Sequence, residues 1–115
     1  MKPQTYNTKK NPIITKNFDC CTSHITKADA SLLDRVAKGL LAQENPPIVY
    51  KYEEGYFIYV PEDHEGIVAD ANNAAALGFS PAFVNLLAVT RTQGCKYLQL
   101  DCDAMEYEDL PTFNW

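Results

Sequence analysis

Apolar residues fall along the chain in short clusters whose period switches between that of a strand and that of a helix, and each switch marks a new element. Asn17 to Ser23 (NFDCCTS) reads as a short buried strand. Thr26 follows as a helix cap, with Asp29 at the third helical position close to a capping box. Leu32, Leu33, Val36, Leu40 and Leu41 recur at helical spacing, and Asn45-Pro46-Pro47 ends the helix because proline cannot continue it. Ile48 to Glu53 and Tyr56 to Val60 are rich in β-branched and aromatic residues, and their join around Glu54-Gly55 makes them a hairpin closed by Pro61. The alanine-rich stretch Glu62 to Leu77 reads as helical from about Asp63, stopping at Gly78. Ser80-Pro81 starts a further helix with a capping serine and a proline in the first turn. Phe83, Val84, Leu87 and Ala88 form its buried face, and Gly94 is its left-handed stop. Lys96 to Cys102 (KYLQLDC) alternates, sending Leu98, Leu100 and Cys102 to one side and Gln99, Asp101 and Asp103 to the other, as a half-buried last strand does.

The order βαββ(α)αβ predicts an α+β fold. The expected form is a ferredoxin-like two-layer sandwich, with a four-stranded antiparallel sheet and helices on one face. Residues 17–115 form one domain in this reading, and residues 1–16, which mix Lys, Asn, Thr and Pro without period, form a flexible N-terminal arm. A chain of 115 residues suits a single domain with a continuous core, and 46% hydrophobic with 22% charged residues excludes disorder of the whole chain. No apolar run approaches the roughly 20 residues that span a bilayer. The first residues carry no apolar segment behind their charge, so no secretory signal is expected and the location expected is cytoplasmic.

Charge changes the picture once it is divided along the chain. All four bases before Asp19 are lysines (Lys2, Lys9, Lys10 and Lys16) with no acid among them, which leaves 6 bases against 15 acids in the rest. A body so negative repels phosphate backbones, and direct nucleic-acid binding is not expected. The acids are densest at the C-terminal end, where Asp101, Asp103, Glu106, Glu108 and Asp109 lie close together without a base. Flanked by Tyr107, Phe113 and Trp115, they suit a surface that binds another protein with a basic face, because aromatic side chains anchor interfaces and charge steers encounter. The competing reading is an ordinary solvated surface, with Trp115 docked on its own domain.

Other side chains raise chemical alternatives. Asp101 and Asp103, two apart on one strand face, have the spacing to share a hard cation or to act as acid and base. Cys20, Cys21 and His24, with Cys95 and Cys102 elsewhere, offer zinc ligands, and Cys21 beside His24 offers an activated thiolate. Neither set has a recognised metal spacing; no metal and no cofactor is expected, and the four cysteines are expected as reduced, mostly buried thiols. Tyr50, Tyr52, Tyr56 and Tyr59 crowd the hairpin, where an aromatic sheet face would suit single-stranded RNA, but the bases that accompany such faces are missing. No glycine-rich phosphate loop or nucleophile elbow is present.

Three segments resemble one family. Cys21-Thr22-Ser23-His24-Ile25-Thr26 leading to Asp29 and Leu33, the hairpin Tyr52 to Val60, and Gly78-Phe79-Ser80-Pro81-Ala82-Phe83 continuing through Gln93-Gly94-Cys95 to Leu100-Asp101-Cys102-Asp103 are together similar to the DUF5983 proteins of bacteria. Ala104 departs from the glycine that the family pattern has after the second aspartate. The resemblance implies a setting on plasmids, phages and integrated elements; it implies no catalytic residue. The favoured expectation is therefore a small acidic accessory protein of a mobile element that binds a host or element-encoded protein and inhibits a nucleic-acid-handling or defence complex. Asp101, Asp103, Glu106, Tyr107, Glu108, Asp109, Phe113 and Trp115 would form its contact surface. One alternative is a metal- or thiol-dependent hydrolase using His24, Cys21, Asp101 and Asp103. Another is a homo-oligomeric structural domain that pairs through the hairpin edge.

Overall fold

The computed structural model describes residues 16–40, 47–60, 72 and 74–115. The chain runs from strand β1 (Asn17–Cys21) through a single 3-10 turn (Thr22–His24) into helix α1 (Lys27–Ala37). The hairpin follows as β2 (Val49–Tyr52) and β3 (Gly55–Tyr59), then helix α2 (Pro81–Thr92) and strand β4 (Tyr97–Asp101). Residues 74–77 are helical and end at Gly78, as expected. The rest of the helix expected from Asp63, and the arm up to residue 15, lie outside the described residues.

The sheet order is β1-β4-β3-β2. β2 pairs antiparallel with β3, and β3 with β4, but β1 pairs parallel with β4, from Asn17 opposite Tyr97 to Cys21 opposite Asp101. The expectation of an all-antiparallel, ferredoxin-like sheet is thereby corrected: the sheet is mixed. The physical reason lies in the crossover. β1 and β2 run the same way at opposite edges, so the connection through α1 carries the chain across two strands, and β4 adds between β3 and β1.

Alternation decides what is buried. One sheet face supplies Cys20, Val49, Tyr56, Ile58, Leu98 and Leu100 to the core, which α1 completes with Ala30, Leu33 and Val36 and α2 with Phe83, Leu86 and Leu87. Leu33, Ile58, Phe83, Leu98 and Leu100 are fully buried, each worth roughly 1.5–3 kcal/mol relative to exposure.

Both helix starts are fixed by one buried carboxylate. Thr26 and Asp29 exchange the two hydrogen bonds of a capping box, each at 3.0 Å. Asp29 also accepts from the Ser80 backbone N–H at 2.8 Å and from its hydroxyl at 2.6 Å, while the Ser80 oxygen caps α2 by accepting from Phe83 N–H. α1 stops earlier than the sequence pattern indicates. Gly39, at φ 70°, donates to Val36, and Leu40 N–H reaches Arg35 C=O, the two bonds of a left-handed stop. Leu40 is therefore exposed rather than part of the apolar stripe.

Candidate functional site

Register places three rows of side chains on the sheet face turned away from the core. One row holds Asn17, Tyr97 and Tyr59; the next Asp19, Gln99, Phe57 and Tyr50; the third Cys21, Asp101, Gly55 and Tyr52. Aromatic rings fill the β2–β3 side and extend to Tyr97. Carboxylates and amides fill the β1–β4 side.

The rings touch in sequence: Tyr52 and Phe57 lie 5.1 Å apart between centroids, Phe57 and Tyr97 6.2 Å in an edge contact, and Tyr59 and Tyr97 5.9 Å. Polar bonds cross the same face. Asn17 donates to Gln99, Gln99 donates to the Tyr52 oxygen at 3.0 Å, and the Tyr52 hydroxyl donates to Asp101 Oδ2 at 2.6 Å. Gly55 makes that last bond geometrically available, because Tyr52 reaches Asp101 over a position without a side chain. Asp101 Oδ1 accepts from the Asp103 N–H at 2.8 Å. With the Tyr52 hydroxyl first and the Asp103 amide second, these donors hold the Asp101 carboxyl below its ordinary value. Burial, followed by the hydrogen bond given to Asp101, pushes the Tyr52 phenol up to about 12. Asp19, Gln99, Asp101 and Asp103 line one shallow concavity at this end of the sheet.

The acidic tail docks on its own domain. Cys21 N–H donates to Met105 C=O at 3.0 Å, Phe113 N–H to Ser23 C=O at 2.8 Å, and the Trp115 indole N–H to Ile25 C=O at 2.9 Å. His24 is the centre of this arrangement. Its ring is buried, Nε2 accepts from the Tyr107 N–H at 2.9 Å, and Nδ1 lies 2.7 Å from Pro111 C=O. An accepting Nε2 sets the tautomer with the proton on Nδ1, which donates to Pro111. Both ring nitrogens are thus engaged by tail backbone. Tyr107 packs on Phe18 at 5.4 Å and donates its hydroxyl to Asp19 C=O, closing over the outer edge of β1.

The residues expected at the contact surface separate into two groups. Tyr107 and Phe113 are half-buried supports of the tail. Asp103, Glu106, Glu108 and Asp109 are exposed, Asp101 partly so, and Trp115 is 56% exposed although its indole N–H is bound.

Among the described residues one group of three potential metal ligands comes together, Asp101, Cys102 and Asp103, with ligand atoms within 4.8 Å of one another. Both Asp101 oxygens already accept hydrogen bonds, and the set mixes hard carboxylates with a soft thiol. Burial, then the carboxylates of Asp103, Asp101 and Glu54, push the Cys102 thiol up and away from the thiolate that binds metal. Cys20, Cys21, Cys95 and His24 form no such group. Burial pushes the Cys20 thiol up to about 12, as expected of an inert core cysteine. All four cysteines are free.

The site therefore lies across segments that sequence patterns had linked: the stretch through His24, the hairpin, and the Leu100 to Asp103 ending. A family model described as the C-terminal domain of a family of unknown function, DUF5983, matches residues 17–115. The chain belongs to the DUF5983 family. No curated protein and no solved structure matches it. In this DUF5983 chain the segments of the early resemblance meet around the docked tail, with His24 bound to it and Asp101 at the rim of the open face. Sequence reasoning missed Asp19, Gln99, Phe57 and Tyr97. Alternation along β1 and β4 was the available signal, since it places Asp19 and Gln99 on the side of Asp101 once the two strands are known to be neighbours.

Proposed function

We propose that this chain is a small acidic accessory protein of a bacterial mobile element that acts by binding a protein with a basic surface, without chemistry of its own. Its targets would be nucleic-acid-handling or defence complexes of the host, whose phosphate-binding grooves accept carboxylates in place of phosphates. The observation that supports this reading most is the fixed tail. Hydrogen bonds to the backbone of Cys21, Ser23 and Ile25 and to the His24 ring tie residues 105–115 to the domain, so Glu106, Glu108 and Asp109 are presented on a docked segment that ends at the Trp115 ring. Pre-ordering of this kind lowers the entropic cost of association.

The test is affinity capture from bacterial lysate with mass spectrometry, comparing the wild type with Glu106→Lys, Glu108→Lys, Asp109→Lys. Partners lost in the variant and released by raised salt support the reading. Partner binding that survives charge reversal intact overturns it.

A further inference from the structure

We propose that the open sheet face is a reader of arginine: it takes an extended, arginine-bearing segment of the partner protein, stacking guanidinium groups on the Phe57, Tyr97 and Tyr59 rings while Asp101 and Asp19 accept their N–H donors. This rests on the reading of the chain as a binder of basic proteins and names the chemical feature recognised.

Among the described residues, α1 and α2 pack with the opposite face, and Tyr50 on the open one is 59% exposed. Phe57, Tyr59 and Tyr97 beside it are half-buried, and a run of aromatic rings that keeps part of its area at the surface marks an interaction site. Its rings present negative π-faces, and the carboxylates beside them share that sign of potential. The chain's own cation already responds: the Lys96 ammonium sits 5.8 Å from the Tyr97 ring centroid. A planar, weakly hydrated cation matches both halves of the surface at once, because guanidinium stacks on rings and pairs with carboxylates through its fork of donors. The register arranges the two kinds of group side by side. Phe57 is the partner of Gln99, one row from Asp101, while Asp19 lies one strand further on beyond Gln99, so a guanidinium stacked on Phe57 has Asp101 as its nearest carboxylate and Asp19 is placed for a neighbouring arginine of the same segment. Each Asp101 oxygen accepts one hydrogen bond from within the chain and keeps a second lone pair for an N–H donor from outside. Nucleic acid, the other macromolecule that stacks on such rings, would bring its phosphates against these carboxylates.

The experiment titrates the full chain with an acetylated, amidated glycine–arginine repeat peptide, the same peptide with lysines, and oligouridine of similar length. Calorimetry supplies affinities and NMR shifts supply the location. The arginine peptide is expected to bind about tenfold tighter than the lysine peptide, with shifts centred on Phe57, Gln99 and Tyr97. Phe57→Leu with Tyr97→Leu keeps apolar cover but removes the rings, and is expected to erase that preference while leaving residual charge-driven binding. Asp19→Asn, at an exposed position that folding does not need, is expected to weaken both peptides several-fold and serves if the leucine variant is unstable. Equal affinity for arginine and lysine peptides, tighter binding of oligouridine, shifts confined to the tail, or a face occupied by a second copy would each overturn the proposal. These outcomes leave the tail charge-reversal experiment untouched, so the failure of either reading is separately visible.

Discussion

Tyr52 gives its hydroxyl to Asp101, and the pair sets the behaviour of the acidic end in acid. Because the folded carboxyl is held below its unfolded value of about 3.9, its stabilisation is fully present above that pH and is lost as pH falls through the lower folded value. Tyr52→Phe removes the largest cause. The Asp101 carboxyl midpoint, followed by carbon NMR, is expected to rise toward the ordinary aspartate value, and an unchanged midpoint would show that the phenol bond is not made in solution. His24 works differently, through two neutral hydrogen bonds to the tail backbone. His24→Ala leaves the Tyr107 N–H and Pro111 C=O without their partner and opens a hole under the tail, a loss of about 2–4 kcal/mol in urea unfolding. Amide exchange at Tyr107 and Phe113 should quicken more than exchange in α2. The sequence marked His24 as notable and offered chemistry for it. Its structural use was invisible because the partners are main-chain atoms over eighty positions away, which carry no side-chain signature.

Elements are joined at points where very little space or charge is to spare. A Cβ on Gly55 would stand 1.7 Å from the Leu100 carbonyl oxygen, and that oxygen is backbone of the central strand β4. Gly55→Ala therefore has to part β3 from β4, and a loss of about 3 kcal/mol or more is expected in thermal or denaturant unfolding. Asp29 ties the starts of α1 and α2 by accepting from Thr26 and Ser80 together. Asp29→Ala would strand the Ser80 N–H and the Thr26 N–H together, and about 2–4 kcal/mol of destabilisation is expected by the same measurement. At this scale much was legible. Capping residues, the hairpin and the α2 stop act locally, so Thr26, Ser80 and Gly94 announce themselves in sequence. The α1 stop is hidden in the pattern because Leu40 continues the helical period past Gly39, whose left-handed backbone ends the helix. The link from Asp29 to Ser80 joins residues 51 apart and was not legible.

For the whole molecule, hydrophobic alternation tells which side of a strand is buried and is silent on which strands are neighbours. The faces of β4 were therefore right while the sheet was expected to be antiparallel throughout, and the concavity shared by Asp19 and Asp101 emerged only with the parallel β1–β4 pairing. The same pairing leaves β1 as an edge strand, a ready template for another chain. The tail closes that edge: Met105 takes the Cys21 N–H, and Tyr107 takes the Asp19 C=O while covering Phe18. The acidic segment thus has an architectural duty distinct from any partner it binds. Removing residues 105–115 should free these groups and uncover the Phe18 ring together with His24. The truncated chain is expected to form dimers and larger species in light scattering after size exclusion, at concentrations where the full chain keeps one lower mass. The triple charge-reversal variant, which retains every backbone bond of the tail, should elute as the full chain does. If the truncation stayed at the full chain's association state while the charge-reversal variant associated, repulsion between acids rather than coverage of β1 would be what keeps the edge closed.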